Sequence, residues 1–289
     1  ILAGGTGTRL YPLSNYINKH LLPIYDKPML DYSISMMILI GIKEILILSD
    51  SNTILSFKKR YGDGFSYGVN ITYTVQDNPN GIPEIFKLEK DKISKYERIC
   101  LMLGDNFFYG SSMTKYFQNK FNTYEGTHIF TYKVKNTWDY GILETKKSGK
   151  PLKIKEKPKK TKSKKAITGI YFFDNTVTKK TKSLKYSSRK ELEVTDLLNL
   201  YLKEDKLNFS ELPRGFVWYD AGSPIRLIDV SEFVRMIEKR QGLKIMCLEE
   251  ICFRKELINK EQFEKLLNNI PNSEYKNYLI GIKDENIQN

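Results

Sequence analysis

The chain has 289 residues, a formal net charge of +13, and 40% hydrophobic and 12% aromatic residues. This apolar content excludes a disordered chain, and the length suits one large α/β domain with an appendage, or two domains. No run reaches the roughly 18 apolar residues of a membrane span, so we expect no membrane partner. Three cysteines are too few for a disulfide framework, so we expect a cytoplasmic protein. Because the sequence opens at Ile1 within a predicted buried strand, we also expect N-terminal residues to be missing.

Strand-like and helix-like segments alternate through the first half of the chain. Short β-branched runs predict strands at residues 44–49, 70–75, 98–103 and 127–134, and helices are predicted at residues 28–40, 53–61, 83–93 and 112–121. This alternation predicts βαβ units, and hence an α/β fold with helices on both faces of a parallel sheet. Ligands of such sheets bind beyond the carboxyl ends of the strands.

The second half of the chain is more mixed. Strands are predicted at residues 166–174 and 215–220, and helices at residues 193–204 and 224–239. After about Gly242, amphipathic patterns predict helices at residues 247–257, 260–267 and 273–282. We therefore divide the chain into a core of residues 1–241 and a small helical extension of residues 242–289.

The positive charge is concentrated in one segment. Residues 146–165 contain 11 lysines and one acidic residue, Glu156, so the rest of the chain has a net charge of only +3. A lysine-rich run is typical of a solvated surface loop, and this one has no aromatic side chain to stack on a base. We therefore expect no nucleic-acid partner, although steep salt-dependent DNA binding would indicate the opposite.

A glycine-rich run opens the chain. Residues 2–10 (LAGGTGTRL) lead from a strand end into three glycines, two threonines and Arg9. Glycines let the backbone approach a triphosphate, and Arg9 adds a forked cation. The run is not a P-loop, because no Gly-Lys-Ser/Thr follows, and it lacks the third glycine of a dinucleotide fingerprint. By itself it is compatible with a phosphate-binding loop or a structural turn.

A second motif, at residues 19–29 (KHLLPIYDKPM), begins ten residues after Arg9. Together the two resemble the signature of the sugar-1-phosphate nucleotidyltransferases: Gly-Gly-x-Gly-Thr-Arg-Leu, a spacer, then Lys-x-Leu-Leu-Pro-Ile-x-x-Lys-Pro-Met. Within that family the chain is most similar to the glucose-1-phosphate thymidylyltransferases. The similarity continues in order at residues 75–76, 80–81, 103–110, 140–141, 156–158, 168–172, 191–196, 218–222 and 240–244.

The resemblance implies a Rossmann-like nucleotidyltransferase fold with a mixed, mostly parallel central sheet. It implies Mg²⁺-dependent transfer of a nucleotidyl group from a nucleoside triphosphate, expected to be dTTP, to glucose 1-phosphate, with release of pyrophosphate. Such chemistry depends mainly on positioning and on neutralising phosphate charge. The family also implies a homo-oligomer, commonly a tetramer or a dimer.

The resemblance also implies roles for individual residues. Mg²⁺ would be held by Asp105 and Asp220, and Lys157 would contact the sugar phosphate. Arg9 and Lys19 would bracket the triphosphate. The implied nucleotide-binding residues are Leu2, Ala3, Gly4, Gly5, Gly7, Thr8, Arg9, Lys19, His20, Gly81, Glu84 and Asp105. The implied sugar-phosphate-binding residues are Asn106, Tyr140, Gly141, Glu156, Lys157, Ile167, Tyr171 and Trp218. The alternative roles are turns or caps for the aspartates, surface positions for the cations, and core packing for the aromatics.

Two departures from the family pattern concern the base. Thymidylyltransferases typically have Gly-Leu-Ala-Gln-Ala where this chain has residues 81–85 (GIPEI), and a Gln where it has His20. An ionised Glu84 only accepts hydrogen bonds. It could accept from N3–H of thymine or uracil, or from the exocyclic amine of cytosine, adenine or guanine. The nucleotide therefore remains open among dTTP, UTP, CTP, ATP and GTP.

A further departure concerns regulation. Residues 247–254 (CLEEICFR) resemble a tail segment that helps to form a second, inhibitory nucleotide site between subunits of this family, facing Tyr109 and Gly110. The family usually has His where this chain has Ser111, so an ordinary amphipathic helix is the alternative. Two further possibilities stay open: a different sugar phosphate, and a nucleotide-sugar-binding regulator without catalysis.

Overall fold

The computed structural model describes residues 1–5, 7–78 and 80–285, and so leaves out residues 286–289 of the predicted extension. The strands are β1 (Pro23–Ile24), β2 (Lys27–Pro28), β3 (Glu44–Ser49), β4 (Asn70–Val75), β5 (Arg98–Met102), β6 (Asn106–Tyr109), β7 (Thr127–Lys133), β8 (Gly141–Thr145), β9 (Pro151–Glu156), β10 (Lys165–Asp174), β11 (Leu207–Glu211) and β12 (Val217–Asp220). The α-helices are α1 (Met29–Ile40), α2 (Ser51–Tyr61), α3 (Ile85–Leu88), α4 (Lys90–Ile93), α5 (Met113–Thr123), α6 (Val177–Lys182), α7 (Val194–Lys203), α8 (Pro224–Gln241), α9 (Leu248–Arg254), α10 (Lys260–Asn269) and α11 (Glu274–Glu285).

The central sheet is mixed and mostly parallel, as predicted. Leu2 bridges in parallel to Leu48 of β3 and to Leu103 beyond β5, which joins the parallel pair β3–β4 to the rest of the sheet. Strand β10 runs antiparallel to β5 and to β7, and β11 pairs in parallel with β7. The strands other than β10 along this path therefore point the same way, and the ends of the Leu2 segment and of β5 meet at one edge.

An irregularity in β10 shapes that edge. The pairing of β10 with β7 shifts between Ile167 and Tyr171, so extra residues bulge out of the longest strand of the sheet. Within the bulge, the carbonyl of Gly169 accepts from the N–H of Leu103 at 2.8 Å. Bulges of this kind re-aim side chains. Here the bulge turns residues 168–169 toward the end of β5.

A short ribbon extends the same edge. Strands β6 and β12 pair antiparallel, and Asn106 lies opposite Asp220 in the register. The hairpin of β8 and β9 attaches to β10 through the pairing of Ala166 with Ile142. Polar residues at the ends of β5, β12 and β9 are thereby gathered on one side of the bulge.

Helix α1 is buried around almost its whole circumference. Its carboxylate, Asp31, is fully buried and accepts hydrogen bonds from Arg60 Nε at 2.9 Å and from the Tyr61 hydroxyl at 2.6 Å. Helix α1 packs against α5 and α9, and one hydrophobic cluster continues from Met36 of α1 to Cys252 and Phe263 of the C-terminal helices. The described part of the extension therefore packs on the core.

The predicted helix at residues 83–93 is wrong as a single element. The structure has a 3-10 turn at Ile82–Glu84, followed by α3 and α4, which are separated at Glu89. Glu89 has φ −113° and ψ 31°, outside the helical region, and its carboxylate accepts from the Thr74 hydroxyl. The remaining predicted elements are present with ends shifted by a few residues. Within the described part of the chain, no helix is long and apolar enough to cross a membrane.

Candidate functional site

The glycine-rich run forms a tight loop at the end of the Leu2 segment. Gly5 and Gly7 have positive φ angles of 95° and 58°, which glycine adopts at low cost, and a 3-10 turn at Thr8–Leu10 follows. Gly4 lies against Ser49 and the side chain of Gln76. The loop thus presents backbone between the end of β3 and the segment after β4.

Asp105 lies directly beyond β5 and is buried. Lys19 Nζ donates to its Oδ2 at 2.6 Å, and Asn106 Nδ2 donates to its Oδ1 at 2.9 Å. Burial by itself would raise the pKa of Asp105, but the charge of Lys19 and these hydrogen bonds hold that pKa well below its usual range. Asp105 is therefore a carboxylate that stays ionised inside the fold.

Asn106 is fixed on three sides. Its Oδ1 accepts from the backbone N–H of Gly169 at 2.9 Å and from Trp218 Nε1 at 2.6 Å, while its amide donates to Asp105. A Cβ on Gly169 would lie 2.4 Å from the Asn106 side chain, so this approach requires glycine at position 169. Asn106 thereby ties Asp105 to the bulge of β10 and to β12.

Asp220 ends β12, beside Asp105. Its Oδ1 accepts from the N–H of Gly222 at 2.8 Å, and its Oδ2 accepts from Arg226 at 2.7 Å. Burial, followed by the negative charge of Asp105, raises the pKa of Asp220. A Cβ on Gly222 would meet the guanidinium of Arg9 at 2.6 Å, so Arg9 lies directly against this turn. Two neighbouring carboxylates with opposite pKa shifts mark a functional-site candidate.

These groups line a cavity of about 170 Å³. Its walls come from the glycine-rich loop, the ends of β5 and β12, the hairpin of β8 and β9, the bulge of β10 and the start of α7. The predicted site residues in its lining are Arg9, Asp105, Asn106, Tyr140, Gly141, Glu156, Lys157, Ile167, Tyr171, Trp218 and Asp220.

Glu156 and Lys157 close one side of the cavity. Arg189 donates to Glu156 Oε1 at 3.1 Å and also pairs with Glu193, so one guanidinium joins two carboxylates. Burial and the charge of Glu193 raise the pKa of Glu156. Lys157 has a positive φ of 38° and a half-exposed side chain, with Nζ 4.0 Å from Glu156. The ammonium group can therefore turn to an anion in the cavity.

The structure brings other predicted residues near this cavity but not into its lining. Lys19 contacts Asp105 from behind. His20 is buried, with Nδ1 2.8 Å from Asn18 Oδ1 and its ring against Gly104, so it supports the loop from beneath. Six others belong to the Leu2 segment and the glycine-rich loop: Leu2, Ala3, Gly4, Gly5, Gly7 and Thr8. Gly81 and Glu84 belong to the 3-10 turn that follows β4.

Four residues of the site were not predicted. Arg226 and Arg189 each hold a carboxylate of the site, and Thr168 lies in the bulge with a buried Oγ1 that has no partner among the described atoms. Gln76 faces Gly4 and stands in one of the matched runs, which could have singled it out. Thr168 also stands in a matched run, whereas nothing in the local sequence marks Arg226 or Arg189 as residues of the site.

The two aspartates fit a divalent cation that keeps part of its water shell. Within residues 1–5, 7–78 and 80–285, no group of three or more His, Cys, Asp or Glu could hold a metal by protein ligands alone. Mg²⁺ is commonly held by one or two carboxylates together with waters and phosphate oxygens. The N–H of Ala221 donates to the Asp105 carbonyl at 2.8 Å, which keeps the two aspartates adjacent. The oxygen-only donor set agrees with magnesium.

The lysine-rich segment is largely separate from this cavity. It forms the tip and second strand of the β8–β9 hairpin and the loop before β10, all within the described residues. Lys160, Lys162 and Lys164 line an open groove of their own. Of the segment's eleven lysines, Lys157 is the one in the lining of the carboxylate cavity. The prediction of no nucleic-acid partner stays a prediction.

Comparisons with known proteins agree with the resemblance. Residues 1–236 match the family model described as nucleotidyl transferase. The chain is 40% identical over 282 residues to a glucose-1-phosphate thymidylyltransferase of Neisseria meningitidis, covering 98% of each chain. It is 39% identical over 286 residues to the enzyme of the same name from Mycobacterium tuberculosis, covering 99% of each.

Two solved structures share the fold. A Bacillus anthracis protein assigned as a glucose-1-phosphate thymidylyltransferase, crystallised with sucrose, superposes with a TM-score of 0.74 and 35% identity over 81% of this chain and 93% of its own. A UDP-glucose pyrophosphorylase bound to UDP-glucose has a TM-score of 0.71 over 82% of this chain and 97% of its own. Its identity of 20% supports a likeness of fold alone.

Gly169→Ala tests the close approach of Asn106. The new Cβ must push the Asn106 amide away, which releases Trp218 and strains the bulge, so we expect the free energy of unfolding to fall by about 1–3 kcal/mol. Urea denaturation measures this loss, and tryptophan emission reports on Trp218. The control is Gly281→Ala in α11, where a Cβ meets nothing within 4 Å. Wild-type stability and emission in the Gly169 variant would contradict the geometry.

His20 makes stability depend on pH. Burial, followed by the charge of Lys19, lowers the pKa of His20 from 6.5 to about 3. Below pH 6.5 the unfolded chain takes up a proton that the folded chain refuses, so stability falls as the pH drops, by about 1.4 kcal/mol per unit for this group. In His20→Gln, the slope of unfolding free energy between pH 6.5 and 4.5 should be shallower by about that amount. Identical slopes would show that His20 is not held neutral.

Proposed function

The chain belongs to the nucleotidyl transferase family, and we propose that it transfers the thymidylyl group of dTTP to glucose 1-phosphate, giving dTDP-glucose and pyrophosphate. Membership makes it a nucleotidyltransferase enzyme. The proposal of dTTP and glucose 1-phosphate rests on the relatives that carry this name at about 40% identity along nearly their whole length.

The reaction is an in-line displacement at phosphorus. A phosphate oxygen of glucose 1-phosphate attacks the α-phosphorus of dTTP, a new P–O bond forms, and the bond to the β-phosphate breaks. Pyrophosphate leaves with the electron pair of that bond, so no external acid, base or oxidant is required for balance. The protein's contribution is to align the two phosphates and to offset their negative charge.

The observation that carries the proposal is the convergence of Arg9, Lys157 and the two aspartates on one cavity at the strand ends. In the proposed complex, the glycine-rich loop and Arg9 bind the triphosphate through backbone N–H groups and a guanidinium. Lys19 adds a second positive charge next to Asp105. Lys157, on the opposite wall, would contact the phosphate of the sugar.

Asp105 and Asp220 would hold Mg²⁺. Bound there, the ion supplies positive charge to phosphate oxygens. Asp105 is ionised over the whole physiological range because Lys19 stabilises its charge, as its lowered pKa indicates. Asp220 is kept in place by Gly222 and Arg226.

The sugar would lie between the hairpin and the bulge. Glu156 offers carboxylate oxygens for sugar hydroxyls, and Gly141 lies close to it, since a Cβ there would be 3.6 Å from Glu156 Oε2. The backbone near Ile167 and the hydroxyl of Tyr171 complete this wall. The Thr168 hydroxyl, buried and without a partner among the described atoms, is a further candidate for a sugar contact.

The base would lie beyond the loop, near Gln76. Gln76 is half-buried, and its backbone N–H donates to the Ser49 carbonyl at 2.8 Å. The Oε1 of its side-chain amide faces Gly4. Glu84, predicted to contact the base, has both carboxylate oxygens engaged by neighbouring amides. Gln76 is therefore our candidate for the direct contact.

Pyrophosphate release from purified protein tests the proposal. With Mg²⁺ and glucose 1-phosphate, we expect turnover with dTTP, and weaker or no turnover with CTP, ATP and GTP. Asp105→Asn should lower turnover at least about 100-fold, as loss of a charge-stabilising group does in other enzymes. The matched control is Asp91→Asn, whose side chain is 99% exposed and whose turnover should be unchanged.

Three outcomes would contradict the proposal in different ways. Wild-type turnover in a folded Asp105→Asn protein would show that catalysis does not require the Asp105 carboxylate. Turnover restricted to CTP, ATP or GTP would keep nucleotidyl transfer and overturn the thymidylyl assignment. No turnover with dTTP, UTP, CTP, ATP or GTP, from protein that still binds them, would favour another sugar phosphate or a regulatory role.

A further inference from the structure

Glu84 lies on the 3-10 turn Ile82–Glu84, beside the segment that follows β4. Its Oε2 accepts from the side-chain amide of Gln76, and its Oε1 accepts from Asn80 Nδ2 at 2.7 Å. The two oxygens of one carboxylate therefore receive N–H groups from two different amide side chains.

This arrangement fixes the orientation of the Gln76 amide. A glutamine side chain has a donating NH₂ end and an accepting carbonyl end of nearly the same shape, so its partners decide which way it faces. An ionised carboxylate only accepts, so the NH₂ end of Gln76 must face Glu84. The carbonyl Oε1 is then left on the other side, about 3.9 Å from the position of a Cβ on Gly4.

The turn that carries Glu84 is itself anchored. The carbonyl of Asn80 accepts from the N–H of Leu192 at 2.7 Å, and Leu192 is buried. A Cβ on Gly81 would lie 2.2 Å from the Leu192 carbonyl, which shows how closely this turn packs. Ile82, in the same turn, is part of the cavity lining. Glu84 therefore holds the amide from a backbone that is fixed against the core.

We propose that Glu84 is a positioning residue that selects bases with a donating N3–H, thymine and uracil, by holding Gln76 so that its Oε1 faces the base. The centre of the pairing edge is an N–H donor in thymine and uracil and a lone-pair acceptor in cytosine. An oxygen opposite that position attracts the first two and repels the third. With a neutral amide at position 84, Gln76 could face either way, and this preference would weaken. The inference rests on the proposed function, because it requires the base to lie at Gln76.

Equilibrium binding of dTTP and dCTP by calorimetry tests this role without turnover. Wild-type protein should prefer dTTP. Glu84→Gln keeps the size of the side chain but can donate as well as accept, and it should lower the ratio of dTTP to dCTP affinity about tenfold, the worth of one hydrogen bond of this kind. The control is Glu97→Gln, an exposed glutamate, which should leave the ratio unchanged.

A double-mutant cycle separates positioning from general damage. If Glu84 acts through Gln76, then Glu84→Gln should change the ratio little in a protein that already carries Gln76→Ala. An unchanged ratio in the single Glu84→Gln variant, or an equal fall in both backgrounds, would overturn the inference and leave the proposed function standing. Wild-type protein that binds neither nucleotide would overturn both.

Discussion

One buried carboxylate organises the end of the molecule that holds the candidate site. Asp105 is removed from water directly after β5, and a charge in that position is stable only when it is paired and hydrogen-bonded. Lys19 and Asn106 supply this compensation. Because Asn106 is in turn held by Gly169 and Trp218, the pairing of this one carboxylate connects the start of the second motif, at Lys19, with β10 and β12.

The two aspartates of the site, Asp105 and Asp220, differ in their pKa shifts. Asp105 has a lowered pKa because Lys19 stabilises its charge, and Asp220 has a raised pKa because of its burial and then of the negative charge of Asp105. Arg9, Arg226 and Arg189 lie around these acids and around Glu156. Such a distribution of opposite charges over a small cavity suits a reaction between two phosphates, in which negative charge must be offset on both substrates.

Much of the fold could be predicted from the sequence, because the strands are short β-branched runs and the motifs follow them in order. The convergence of Arg9, Asp105 and Asp220 followed from the resemblance and from the rule that ligands bind at strand ends. The bulge of β10 could not be predicted, since it depends on pairing with β7. The same holds for Arg226, which joins Asp220 to Asp139 from 87 residues away, and for Arg189, 33 residues from Glu156. The proposed role of Glu84 could not be predicted either, because a glutamate can accept a hydrogen bond from a base or from Gln76, and the residue type does not distinguish the two.

A crystal structure with Mg²⁺ and dTDP-glucose tests the account most directly. We expect a cation about 2.1 Å from carboxylate oxygens of both Asp105 and Asp220. We expect the base beside Gln76, and the sugar between Gly141 and the bulge of β10. A nucleotide bound instead in the groove of Lys160, Lys162 and Lys164, or a cation that contacts neither aspartate, would contradict it.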